Sequence, residues 1–195
     1  MRDMVNLSDE ESLNASSRAD KRLIGAAGEH YAMCQLIRQG FVAARAPEGV
    51  ALMDIVVSDP TAQKLFAIQV KTRSGRSSDG GWHMGAKHEK AVPNLWYCMV
   101  DLGEEPTDPV TCFVIPQAIV RDAVERSHVI WGKGSGIKGQ RRKVETTMRR
   151  LLPDYMTSNL LRPEITEDDR EWLAAHGPGW LEPYQEAWNL LKTDS

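Results

Sequence analysis

The chain has 195 residues, 42% of them hydrophobic and 26% charged, which excludes wholesale disorder and fits one principal fold with small trimmings. No run approaches the roughly 18 apolar residues of a membrane span, and the opening MRDMVNLSDEESLNASS lacks the apolar core of a secretory signal, so a cytoplasmic protein is expected. The net charge of -3 gives no whole-chain support for nucleic-acid binding, but residues 121–150 carry nine basic against three acidic side chains and residues 151–195 three against nine, a directed field.

Residues 1–18, rich in Ser, Asp and Glu, read as a flexible lead-in. From Asp20 to Gln39 the spacing of Leu23, Ala27, Tyr31, Cys34 and Ile37 predicts an amphipathic helix with that stripe turned inward, and Gly40 suits its exit. Glu29 lies on a neighbouring line with Ala26, Met33 and Leu36, close to the packed face. Three strands follow, over Phe41 to Ala46, Ala51 to Ser58 and Lys64 to Thr72, with connections short enough for an antiparallel meander.

The glycines and serines between Arg73 and Gly85 predict a loop that can close over a ligand. A short helix is expected over Ala86 to Val92, an apolar strand over Leu95 to Leu102, another over Val110 to Ile115, and a helix from Gln117 to about Arg126. Strands and helices in this order give an α/β core over residues 19–131. Residues 132–195 form a basic loop and a helical extension packed on that core, with helices around Val144 to Tyr155, Asp168 to Ala175 and Leu181 to Leu191. Trp172, Trp180 and Trp188 are expected to anchor the extension. Cys34, Cys98 and Cys112 have no CxxC spacing and read as reduced, buried thiols.

The chemistry-bearing arrangement is Glu29 on the helix, Asp54 on a strand after a turn, and Gln69-Val70-Lys71 on the next strand. Strand side chains alternate, so Gln69 and Lys71 share one face. With Asp54 beside them, its carboxylate, Gln69 Oε1 and the Val70 carbonyl form an oxygen set suited to a hard divalent cation, Mg2+ first and Mn2+ second. Such an ion counters charge growing on a phosphate and acidifies an attacking water. Lys71 either orients or deprotonates that water or stabilises charge beside the phosphate, and Glu29 binds the same cation through water, binds a second cation, or orients a lysine. Lys87 and His88 in WHMGAKHEK are expected to position substrate, and Arg141, Arg142 and Lys143, with Arg149 and Arg150 nearby, to contact phosphates without reading sequence.

The segments GEHYAMCQLIRQGF, LMDIVV and FAIQVKTRSG resemble the PD-(D/E)XK nuclease superfamily, with kinship to Holliday-junction resolvases and Mrr-type nucleases. The resemblance implies a restriction-endonuclease-like core, a mixed central β-sheet flanked by helices. It also implies that Glu29 is the helix acid, Asp54 the metal-binding aspartate, and Gln69 and Lys71 the outer residues of the E-x-K element. Gln69 stands where Glu is commonest, and no proline precedes Met53-Asp54; the amide keeps an oxygen ligand but removes a negative charge and weakens metal attraction. The function implied is metal-dependent hydrolysis of DNA phosphodiester bonds, on duplex or branched substrates, in repair, recombination or restriction. The resembling nucleases pair two copies, so a homodimer is expected, with no membrane partner. The competing classes are a catalytically inactive nuclease-fold DNA-binding module and a protein-interaction component of a defence system.

Overall fold

The computed structural model describes residues 7–50, 52–75, 80–85, 91–135, 139, 140, 142, 145, 149–157 and 159–192, and for 7–20 the backbone alone. Three short strands rich in β-branched and apolar residues, β1 (Val42–Arg45), β2 (Ile55–Ser58) and β3 (Leu65–Arg73), pair antiparallel as their short connections require. A longer connection then lets β5 (Leu95–Asp101) run parallel to β3, and β6 (Thr111–Pro116) closes the edge antiparallel to β5. The sheet is therefore mixed, in the order β1-β2-β3-β5-β6, and the fold is α/β, as expected.

Alternation sorts the strand residues onto two faces. Ile55, Val57, Ile68, Val70, Cys98, Val100, Cys112 and Val114 form one core with Ala32 and Leu36 of helix α1 (Leu7–Arg38). Leu95, Tyr97, Met99 and Ile115 face the opposite core, which contains Val120, Ala123, Val124 and Ile130 of helix α2 (Gln117–Lys133). The inward line of α1 is not the large apolar stripe. Leu23 and Ile37 are exposed at 69% and 54%, while Gly28, Ala32 and Leu36 are buried. Close approach decides the phase, because a Cβ on Gly28 would lie 1.9 Å from Thr72 Oγ1, so only a small residue meets β3 there. Cys34, on the outer side, is exposed, whereas Cys98 and Cys112 are buried.

Several elements differ from expectation. The α1 backbone is helical from Leu7 rather than Asp20, with no proline to interrupt 7–38, and α2 continues to Lys133. The expected helix over 144–155 is absent among its described residues: Pro153 cannot sit inside a helix, and β7 (Arg150–Leu151) pairs instead with β4 (Trp82–His83), inside the expected loop. The expected helix over 86–92 falls largely outside the described residues. The extension does supply helix α3 (Glu167–Ala175) and two 3-10 turns, Glu182–Tyr184 and Trp188–Lys192.

The extension is part of both cores. Leu151, Tyr155, Leu160 and Leu173 lie in the α2-side core, with Trp172 and Trp180 packed against it, and Trp188 and Leu191 lie in the α1-side core. Glu186 ties this end of the chain down: its carboxylate accepts from Cys112 N at 2.8 Å, Trp188 Nε1 at 2.8 Å and Tyr31 Oη at 3.3 Å.

Candidate functional site

Antiparallel pairing of β2 with β3 ends at Ile55 opposite Ile68. One residue further, Asp54 N still donates to the Ile68 carbonyl and the Asp54 carbonyl accepts from Ala46 N, both at 2.8 Å, so Asp54 is held by main-chain bonds on both sides. Upstream, Leu52 takes a left-handed φ of 85°, costly for a branched side chain, and the chain leaves β3. The strands diverge at the point where Asp54 is delivered.

Position 54 falls opposite position 69, which puts the two side chains on one face. Gln69 Nε2 donates to Asp54 Oδ2 at 2.5 Å, and Val70 N donates to the same oxygen at 2.7 Å. Gln69 is buried at 7% exposure, and its Oε1 has no hydrogen-bond partner among the described residues. Val70 N and the Ile68 carbonyl both point toward β2, so the Val70 carbonyl does too, beyond the end of the ladder. By the same alternation Lys71, half-buried, shares the Gln69 face.

Tyr97 stands beside this arrangement, hidden from the sequence inside an apolar strand. It is level with Gln69 in the parallel ladder and stands on the same face. The residue is 2% exposed, and its phenol has no hydrogen-bond partner among the described residues. Burial, and then the charge of Asp54, push the phenol up to about 12, so it stays protonated at neutral pH.

Glu29 is placed elsewhere. It forms an ion pair with Arg45 Nη2 at 2.9 Å, and it has no bond to Asp54, Gln69 or Lys71 among the described residues. Arg45 is level with Ile55, on the α1 side of the sheet, whereas Asp54 is turned to the other side.

Of the expected phosphate contacts, Lys87, His88, Arg141 and Lys143 lie outside the described residues. Arg142 bonds the Trp131 carbonyl at 2.8 Å and the Asn159 carbonyl at 3.2 Å, with its guanidinium 4.7 Å from the Trp131 ring. It clasps the C-terminal end of α2. Arg149 and Arg150 line a cavity of about 400 Å³ together with His128, Trp131, Tyr155 and Leu160, away from Asp54 and Gln69.

The oxygens gathered at the sheet end are one carboxylate, the Gln69 amide, which presents its N–H to that carboxylate, and a main-chain carbonyl beyond its ladder. No cluster of three His, Cys, Asp or Glu exists among the described residues, so a site here relies on neutral oxygens and water.

Fold and site together define an α/β protein with a mixed five-stranded sheet, whose diverging central strands bring an acid, an amide and an amine to one face. No family model and no curated protein matches the chain. Among solved structures it is similar to a bacterial homing endonuclease, I-Ssp6803I, at 16% identity over 87% of this chain and 89% of that one, with a TM-score of 0.41. No helix among the described residues is long and apolar enough to cross a membrane.

Proposed function

We propose that the protein is a metal-dependent DNA endonuclease of the PD-(D/E)XK type, hydrolysing phosphodiester bonds with Mg2+ or Mn2+ at the divergence of β2 and β3. The observation that carries this reading is the direct contact of Asp54 with Gln69 and Val70 N, with Lys71 two residues along the same face. A divalent cation held by Asp54, Gln69 Oε1 and the Val70 carbonyl would polarise a phosphate oxygen and lower the pKa of a bound water.

The chain's own groups do the rest. Asp54 is fixed by its backbone bonds, so its carboxylate needs little reorganisation to hold charge at this point. Lys71 places an amine where an attacking water loses its proton or where negative charge grows on the phosphate. Glu29, held by Arg45, stands outside the contact set, so any ligation by it runs through water. Arg149 and Arg150 offer positive charge to the DNA backbone, and a homodimer would supply a second centre for the second strand.

The test is cleavage of linear, nicked, single-stranded and branched DNA by the purified full chain in Mg2+ or Mn2+, beside D54A, K71A and E29Q. D54A and K71A should each lose about 10²-fold or more in rate, and E29Q should lose less. Products that need no metal, or that survive both D54A and K71A, would remove the site. The inactive DNA-binding reading draws on one observation, that Gln69 already caps Asp54 with an amide N–H. Salt-sensitive DNA binding by a chain that takes up no metal and cuts nothing would favour it.

A further inference from the structure

Helix α2 turns Val124, Ser127, His128 and Trp131, spaced three and four residues apart, to one side. Across from them, residues 149–160 supply a second wall, and the two do not close on each other: a cavity of about 400 Å³ lies between. That space is well above the roughly 30 Å³ share of one water and within the range of small-molecule sites. The wall opposite α2 is tied to other elements. β7 pairs with β4, and Tyr155 N donates to the His176 carbonyl at 3.0 Å, so this segment is not at liberty to move in and fill the space.

Burial grades the lining. Val124, Leu152, Tyr155 and Leu160 are buried, whereas Arg149, Arg150 and His128 are half-buried. The hydroxyls on the buried side are engaged with the main chain: Ser127 Oγ donates to the Val124 carbonyl at 3.1 Å, and Tyr155 Oη accepts from Leu152 N at 3.3 Å and donates to the Arg150 carbonyl at 3.5 Å. The deep side therefore offers apolar surface. The shallow side carries two guanidiniums beside an imidazole, and no Asp or Glu is among the described lining residues. These groups are partly preset, which lowers the ordering cost of a ligand: Arg150 Nη2 donates to the Gly81 carbonyl at 3.2 Å, and the His128 ring stacks on Trp131 with 5.4 Å between centroids.

We propose that this cavity binds a small amphipathic anion, an organic carboxylate or phosphate monoester whose apolar body lies against Val124, Leu152 and Leu160 and whose oxyanion meets Arg149 and Arg150. A guanidinium fork matches both head groups, so the recognised chemistry is an oxyanion on an apolar body. Neither half suffices. An anion without the body leaves the apolar wall in water, and a neutral body takes water from two guanidiniums without offering an acceptor. The cavity is separate from Asp54 and Gln69, and its occupant does not depend on whether the chain cuts DNA.

The experiment is calorimetric titration of the full chain with 2-naphthoate, 2-naphthyl phosphate, 2-naphthylmethanol and thymidine 5′-phosphate, with backbone amide shifts of a 15N-labelled sample locating the contact. At least one naphthyl anion should bind about 10-fold or more tightly than the neutral alcohol, and the tighter of the two identifies the head group. Thymidine 5′-phosphate, an anion with a more polar body, should bind about 10-fold more weakly than naphthyl phosphate. R149A should weaken the anions by about 10- to 100-fold, the range for a charge-assisted hydrogen bond, and L160W, which fills the apolar side, should weaken them too. The shifts should fall on residues 124–131 and 152–160. Should either variant fail to fold, the wild-type shifts and the comparison with the alcohol decide. No anion binding at about 1 mM, alcohol binding as tight as that of the anions, or shifts confined to the exposed Val42, Val56 and Leu65 of the sheet overturns the site. Equal binding of thymidine 5′-phosphate and naphthyl phosphate overturns the apolar body.

Discussion

Helix α1 approaches β3 closely at Gly28, and this contact gives the sharpest test of how the fold holds the site. A Cβ at Gly28 would lie 1.9 Å from Thr72 Oγ1, 2.8 Å from Cγ2 and 2.9 Å from Cβ, whereas a Cβ at Gly25, three residues earlier, would meet nothing within 4 Å. Replacing either glycine by alanine gains about 1 kcal/mol of helix propensity. At Gly25 that gain stands alone, so G25A should raise Tm by about 2–4 °C for a chain of this size. At Gly28 a turn of the Thr72 side chain cannot relieve the contact, because Thr72 Cβ itself is too near. The helix must retreat, at about 3 kcal/mol, the upper part of the usual overpacking cost. The net loss in G28A is about 2 kcal/mol, or about 4–8 °C, and urea unfolding should show the two variants about 3 kcal/mol apart. Removing Oγ1 and Cγ2 with T72A in the G28A background should recover about half the loss. Thr72 adjoins Lys71, so under the proposed nuclease function G28A should also slow cleavage well below its Tm. A G28A protein as stable as G25A would refute the packing of α1 on β3 at this point.

Asp169, with no exposed side-chain surface, accepts from Lys133 Nζ at 2.6 Å, Arg126 Nη2 at 2.9 Å and Thr166 N at 3.0 Å. Burial raises its carboxyl, but the bonds from Lys133 and Thr166 outweigh burial and pull it down to about 2, below the unfolded value near 4. The folded state therefore binds fewer protons than the unfolded one in that window. About 2 kcal/mol of stability should be present above about pH 5 and vanish as pH falls from about 4 to about 2. Urea unfolding across this range should show that limb in wild type and not in D169N; equal slopes would contradict the assignment. Trp188 is 2% exposed and packed into the α1-side core, so W188A should cost about 3–5 kcal/mol in the same assay, and a loss under about 1 would mean that the chain end is not part of the core.

What could be read from the residues was local. The meander of β1, β2 and β3 follows from short connections, and the shared face of Gln69 and Lys71 follows from alternation, which no tertiary detail can change. The helix was legible in kind but not in phase. Leu23 and Ile37 outweigh Gly28 and Ala32 on any hydrophobicity count, yet the glycine and alanine permit contact with β3, and contact distance sets which face is buried. With the phase turned, Glu29 meets Arg45 on the α1 side instead of Asp54. Arg142 in the basic segment reads as a free cation, but its guanidinium donates to the Trp131 carbonyl in the last turn of α2 and to the Asn159 carbonyl of the extension, because a helix end leaves carbonyls in need of donors.

Tyr97 marks where local reading stops. Its alternation within β5 was as clear as that of Gln69 within β3, but the row Asp54, Gln69, Tyr97 exists only once the parallel register sets 69 level with 97, across a connection that no turn rule specifies. A shift of one residue would have brought Trp96 or Cys98 to that place and turned the phenol to the other face.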